Sequence, residues 1–306
     1  MSRKSILVTG GSGLVGRCFE SERFIRTGSR IGLDLLEKSK ISDALSIIKP
    51  EGVIHCAAKV GGVKGNMEYP ADFTYQNLMM NTNIIEESRK AGVKKLISFA
   101  STCVFPDKVE YPLTPDKIHL GPPHQSNYGY AYSKRMAEIQ IQAYREQYGV
   151  NYFSVIPCNI YGTGDNYDLD NGHVIPSLIH KFFIASELGE HVTIWGSGSP
   201  LREFIFSKDV AKLTELLYDN YTDGIPVILS SGNEISIKDL VHLISEIFDF
   251  KGGIKFDSNK PEGQFRKPSD NSVIKNMFPD FTFTPIEDGL RESIEWFKNN
   301  YPNLRK

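Results

Sequence analysis

The chain has 306 residues, with 35 basic against 37 acidic and a formal net charge of −2, long enough to bury a large core in one big domain or in a nucleotide-binding domain with a smaller partner. So balanced a charge argues against the polycationic surface that releases counterions from nucleic acid, and four scattered cysteines, Cys18, Cys56, Cys103 and Cys158, without a Cys-x-x-Cys pair argue against a zinc ribbon or a disulfide framework. No apolar run reaches membrane-spanning length, and Met1-Ser2-Arg3-Lys4 leads straight into a strand, so a soluble, cytoplasmic protein with no membrane partner and no metal is expected.

Taken in chain order, short β-rich runs alternate with longer helical patterns, as they do when a parallel sheet is covered by helices on both faces. Strands are predicted at Ile6 to Thr9, Phe24 to Arg26, Gly52 to Cys56, Leu96 to Ala100 and Tyr152 to Pro157. Two long helices are predicted over Asp72 to Lys90 and Tyr128 to Tyr148, with Met80, Ile84 and Ile85 at helical spacing in one and Met136, Ala137 and Ile141 in the other. After Pro157 the pattern turns irregular, and Gly162-Thr163-Gly164-Asp165 and Gly196-Ser197-Gly198-Ser199-Pro200 mark loops. An α/β class follows: a Rossmann-type, doubly wound parallel sheet over residues 1–160, then a smaller, mainly substrate-binding α/β portion over 161–306, partly interleaved with the first.

Ile6-Leu7-Val8-Thr9 runs into Gly10-Gly11-Ser12-Gly13-Leu14-Val15-Gly16, a glycine pattern that opens a helix directly after a strand. Such glycines permit a tight turn and close approach of backbone to a pyrophosphate, and the helix N-terminus adds unpaired N–H groups and a favourable dipole. About 20 positions on, where an NAD enzyme commonly places an acidic residue, the chain reads Arg26-Thr27-Gly28-Ser29-Arg30. Two guanidinium groups and no carboxylate suit a 2′-phosphate, so NADP(H) is the expected cofactor; the alternative is that both arginines are solvated loop residues. The helix before the second strand is unusually short.

Tyr130 and Lys134 lie four residues apart on one face of the helix Tyr128 to Tyr148. A nearby ammonium lowers a tyrosine pKa, as a proton donor to a carbonyl under hydride attack requires near neutrality. The strand Leu96 to Ala100 ends in Ser101-Thr102-Cys103, and Ser101 completes a Ser, Tyr and Lys set by holding the substrate carbonyl.

The glycine loop, His55-Cys56-Ala57-Ala58, and Ser101 with Tyr130 and Lys134 resemble those of extended short-chain dehydrogenases. More narrowly, Ala58-Lys59-Val60-Gly61-Gly62, Ser101-Thr102-Cys103-Val104-Phe105-Pro106, Gly172-His173-Val174-Ile175-Pro176 and Trp195-Gly196-Ser197-Gly198 resemble the GDP-L-fucose synthase family, with similarity from Ile6 almost to the C-terminus. The resemblance implies conversion of GDP-4-keto-6-deoxy-D-mannose to GDP-L-fucose, by epimerising C3 and C5 and then reducing C4 with NADPH. Inversion beside a ketone requires one group to remove a proton and another to return one to the opposite face. Cys103 and His173 are the candidates; taken singly, Cys103 also suits a small buried residue and His173 a loop cap. If strand geometry persists, Ser101 and Cys103 point into the same pocket.

For the cofactor, the resemblance implies adenine contact by Asp34, nicotinamide contact by Pro157-Cys158-Asn159-Ile160, and further contacts from Lys134 and His173. For the GDP portion it implies Lys181, Trp195, Arg202, Glu262 and Lys267. The guanidinium fork of Arg202 suits a diphosphate. Trp195 suits ring stacking or core packing, and Glu262 stands where the family usually has Asp. A homodimer is implied too, with Asp72 to Lys90 and Tyr128 to Tyr148 forming a four-helix interface. The rivals are a nucleotide-sugar 4-epimerase or 4-keto reductase, which have no need of Cys103 with His173, and a non-catalytic cofactor sensor, which has no need of Tyr130 and Lys134.

Overall fold

In the computed structural model, which describes residues 5–28, 32–169, 171–260 and 264–304, the first five strands are β1 (Ile6–Thr9), β2 (Phe24–Thr27), β3 (Gly52–His55), β4 (Lys95–Phe99) and β5 (Asn151–Pro157). Between them run α1 (Lys38–Ile48), α2 (Val63–Glu68), α3 (Pro70–Lys90) and α4 (Tyr128–Tyr148). The later chain adds β6 (Asn159–Tyr161), α5 (Val174–Leu188), β7 (Val192–Trp195), β8 (Leu201–Phe206), α6 (Ser207–Asn220), β9 (Val227–Leu229), β10 (Glu234–Ser236), α7 (Ile237–Phe248), β11 (Ile254–Asp257), α8 (Ser272–Met277) and α9 (Ile286–Asn300).

Six parallel strands form the larger sheet, in the order β2-β1-β3-β4-β5-β9. Alternation along the strands divides its apolar residues between two cores. Ile6 and Val8 pack with Ile54, Ile97 and α6 residues Val210 and Leu213, while Leu7 packs with Val53, Leu96, Ile84 and Ile141 on the opposite face. The strand order reverses between β1 and β3, and it is outside the carboxyl ends of strands at such a point that open α/β sheets bind ligands. The remaining strands make two small sheets, β10-β8-β6 and β11-β7, over an aromatic core that includes Tyr161, Tyr167, Phe182, Phe204 and Phe297. Residues 207–229 leave this part and return to the larger sheet through α6 and β9.

One element differs in kind from its expectation. No α-helix follows the glycine loop; only a single 3-10 turn forms, Gly16–Cys18. The chain has just residues 17–23 in which to leave the loop and re-enter the sheet at Phe24. That is too short for helical turns and a return, since complete β-to-β crossovers take at least ~10 residues.

Candidate active site

The glycine loop is shaped by contacts that no side chain would allow. Gly10 sits at φ +72°, where an added methyl would lie 2.7 Å from the Ala57 amide nitrogen, and a methyl on Gly16 would lie 2.2 Å from the Gly10 carbonyl oxygen. The loop therefore closes tightly over the ends of β1 and β3, the form a backbone cradle for a diphosphate requires. Within it, Gly11 N–H donates to the Thr27 carbonyl and Gly13 N–H to that of Gly10, each at 2.8 Å. Leu14 accepts from the Cys18 thiol, and Val15 is buried in the sheet core. Ser12 lines a cleft beside the loop with Arg17, Arg26, Lys208 and Trp296. Arg26 is exposed and its Nη1 donates to the Arg17 carbonyl at 2.7 Å; Arg30 lies outside the described residues. The Asp34 carboxylate accepts from the Leu36 amide at 3.0 Å.

Helix α4 brings the next group together. Ser101 does not continue β4. It caps a 3-10 turn over Thr102–Val104, its Oγ accepting from the Cys103 amide at 3.4 Å, so Cys103 reaches the site on a turn rather than on extended chain. Arg135 pins that turn to α4 by donating to the carbonyls of Val104, at 2.6 Å, and Gly121, at 2.7 Å. Asn127 donates to the Cys103 sulfur at 3.0 Å, and its own Oδ1 is buried without a partner among the described residues. Sequence reasoning passed over Asn127. The only signal is its place directly before the helix, which reads as an N-cap, a role its side chain does not take.

Tyr130 and Lys134 face each other, the ammonium 5.9 Å from the ring centre. Burial, with the Cys103 sulfur adding to it, holds the Tyr130 phenol above its ordinary value. That is opposite to the lowering expected from Lys134, because desolvation disfavours the phenolate. Lys134 is 2% exposed, and burial lowers it to about 8, with Cys56 opposing the shift. Behind it, His55 is fully buried: Nδ1 lies 2.7 Å from Thr9 Oγ1 and Nε2 3.0 Å from Asn81 Oδ1, while Asn81 donates to the Ser133 carbonyl on α4. Burial first, and Lys134 second, lower His55 to about 3, so it stays neutral and positions α4 without exchanging protons near neutrality.

Cys158 lies buried between β5 and β6, its amide on the Leu229 carbonyl, followed by Asn159, which donates to the Glu203 carbonyl, and Ile160 on β6. Pro157 ends β5.

The remaining candidates come from dispersed elements of the later chain. His173 is exposed at the N-cap of α5, and the loop before it is latched by the Gly62 amide on the Asn171 carbonyl at 2.9 Å. Lys181, on α5, is half-buried and lowered by burial. Arg202, on β8, is lowered by burial with the Tyr111 hydroxyl nearby. Lys267 is lowered by burial, with Cys103 opposing and Arg202 assisting, which places it near both the thiol and the guanidinium. Its segment is held by Leu113 N–H on the Pro268 carbonyl and by the Ser269 amide on the buried Glu203 carboxylate. Trp195 ends β7, 63% exposed with the Lys260 ammonium 5.5 Å from its ring centre, so it is open for stacking and not in the core. Glu262 lies outside the described residues. Among the described residues no cluster of His, Cys, Asp or Glu could hold a metal ion, and no helix is long and apolar enough to cross a membrane.

Residues 6–229 match the NAD dependent epimerase/dehydratase family. Over its full length the chain is 44% identical to GDP-L-fucose synthase of Dictyostelium discoideum, covering 98% of that protein. It is 38% identical to a probable GDP-L-fucose synthase of Drosophila melanogaster, with 99% of this chain and 100% of the relative covered. The crystal structure of a GDP-L-fucose synthetase from Naegleria fowleri bound to NADP superposes with a TM-score of 0.93 at 38% identity, covering 100% of this chain and 96% of that one.

Proposed function

The chain belongs to the NAD dependent epimerase/dehydratase family and, within it, to the GDP-L-fucose synthases, and from that premise we propose that it converts GDP-4-keto-6-deoxy-D-mannose to GDP-L-fucose, inverting C3 and C5 and then reducing C4. The observation that carries this reading is the meeting of two kinds of proton chemistry at one helix start. The Cys103 thiol, with an amide donor from Asn127 on its sulfur, lies near the Tyr130 phenol, whose ring faces the Lys134 ammonium. A plain reductase needs only the second kind.

NADP(H) suits the tight Gly10–Gly16 cradle and the Arg26 cation beside it, and when bound it supplies the hydride for C4. The chain's own residues do the rest. Ser101 holds the C4 carbonyl, which acidifies the hydrogens on C3 and C5. Cys103 and His173 exchange protons with those carbons from opposite sides. A thiol is more easily ionised than a hydroxyl, and the Asn127 amide steadies the sulfur when it carries charge. Tyr130, protonated at neutrality, with burial raising it further, gives its proton to the C4 oxygen, and the Lys134 ammonium offsets the phenolate left behind. Arg202, Lys181 and Lys267 receive the GDP diphosphate, and Trp195 stacks on a ring. Residues 1–160 hold most of the cofactor site, and the later chain mainly the substrate.

We further assign the protein to the cytoplasm, where NADPH and four free thiols suit a reducing setting. A homodimer is supported by Tyr75 on α3 and by Tyr132, Met136 and Ile139 on α4, large apolar residues left exposed on the two long helices. Light scattering at micromolar concentration should give twice the chain mass. The function itself is tested by incubating the protein with GDP-4-keto-6-deoxy-D-mannose and NADPH and identifying the sugar by NMR. A product reduced at C4 with C3 and C5 unchanged would make the protein a 4-keto reductase instead.

A further inference from the structure

The aborted helix after the glycine loop leaves backbone carbonyls that helical turns would satisfy by i to i+4 bonds. One such bond forms, Arg17 N–H to the Gly13 carbonyl at 3.2 Å, and the chain then turns away after Cys18. The Arg17 side chain folds back into the gap. Its Nη2 donates to the Ser12 carbonyl at 3.0 Å and its Nε to the Gly13 carbonyl at 3.3 Å. The guanidinium is itself held from two directions. It lies 5.8 Å from the centre of the Trp296 ring on α9. It packs so close to Gly164 that a methyl there would fall 1.6 Å from Nη1. The Arg17 backbone is tied separately, its carbonyl accepting from Arg26 on β2.

We propose that Arg17 is a positioning residue for the cofactor loop, its guanidinium fork standing in for the helix that this chain lacks. In the usual arrangement the strand–loop–helix unit is rigid because the helix propagates its hydrogen bonds into the loop. Here the loop has one 3-10 turn behind it, and a short turn of that kind is a weak support. The fork replaces that support with two bonds from one planar group, and α9 and the Thr163-Gly164 loop, both from the later chain, hold the fork. The brace therefore couples the order of the glycine loop to the docking of the C-terminal part, which a helix would not do. A loop already ordered binds its ligand without the cost of ordering it on contact.

Two measurements on the full chain test this, one free of cofactor. Hydrogen–deuterium exchange on the protein alone should show faster exchange across residues 10–18 in Arg17→Met than in wild type, with β4 and α4 unchanged. Equilibrium titration by NADPH fluorescence should show affinity about tenfold weaker, while kcat at saturating NADPH stays within about twofold. Arg17→Lys keeps the charge but cannot reach both carbonyls with a fork, so it should recover little of the loss. Gly164→Ala, which drives the guanidinium off the loop while leaving Arg17 in the chain, should speed exchange at residues 10–18 as well, and it serves if Arg17→Met does not fold. Unchanged exchange in whichever variant folds would overturn the brace, and full recovery of affinity by Lys would replace it with a simple charge effect. The affinity arm rests on the NADP(H) reading: wild type that fails to bind NADPH would overturn that reading, while the exchange arm still decides the brace.

Discussion

Lys134 and Trp195 mark the two sides of the site, one 2% exposed at the start of a long helix and the other 63% exposed at the end of a four-residue strand. On the Lys134 side, each group is fixed by partners already in place. His55 is bonded at both ring nitrogens, Arg135 ties the Cys103 turn to α4, and Asn127 holds the sulfur. On the Trp195 side, Lys181 is only half-buried, and Arg202 uses Nη1 on its neighbour's carbonyl. The difference suits the role proposed for each side. Proton and hydride transfer need reacting atoms held near contact before the reaction begins, whereas a diphosphate and a base are gripped over a wide surface, where adaptable side chains suffice. The buried side should therefore govern kcat and the open side KM.

The largest expected effect lies on the buried side. Tyr130→Phe removes the proton donor proposed for the C4 oxygen and should lower reduction about 100- to 10,000-fold, yet in deuterated water it should still exchange hydrogen at C3 and C5, seen as mass gain in the keto sugar. If exchange disappears with reduction while fold and NADPH affinity are intact, one residue serves both steps and the division of labour is wrong. Cys103→Ser should do the reverse, lowering exchange on the order of 100-fold, because a hydroxyl is a far weaker base at neutral pH. Slow release of a sugar reduced but not inverted should accompany it, and His173→Gln should also impair inversion.

Across the site, Arg202→Ala tests the other half of the comparison. A charged hydrogen bond is worth ~1.5–3 kcal/mol, so KM for the sugar nucleotide should rise about 10- to 100-fold with kcat little changed. A collapsed kcat at unchanged KM would move Arg202 to the reacting side.

The lowered Lys134 supplies a pH test whose two readouts run in opposite directions. Lys134 is charged below about 8 and neutral above, so kcat/KM for NADPH should fall by up to about tenfold per pH unit above that point. Stability should move the other way: between about 8 and the ordinary lysine value of 10.5, the unfolded chain holds the proton that the folded chain has lost, so folding strengthens as pH rises through this window. Activity and melting temperature falling together above pH 8 would mean unfolding, not titration. The smallest effect is expected at the exposed cofactor arginine, where Arg26→Ala should weaken NADPH by about fivefold and NADH hardly at all, since an exposed cation is screened by solvent.

Local pattern was enough to locate most of the buried side. β1 and α4 run from Ile6 to Thr9 and from Tyr128 to Tyr148 as periodicity alone predicts, and the other four predicted strands differ by a residue at one end or, for β4, at both. Ser101, Tyr130 and Lys134 were legible because their spacing is set by one strand end and one helix turn, which a short stretch of chain encodes. Tertiary structure decided what no such stretch contains. The glycine loop has no helix behind it, and Arg17 finds its partners at Gly164 and Trp296, far along the chain. Lys267 comes near Cys103 and Arg202 because Leu113 and Glu203 hold its segment. The direction in which Tyr130 shifts was likewise out of reach of the sequence. Spacing puts an ammonium beside the phenol, but the sign depends on how much water the folded chain removes from around it, and burial, with the Cys103 sulfur adding to it, raises the phenol.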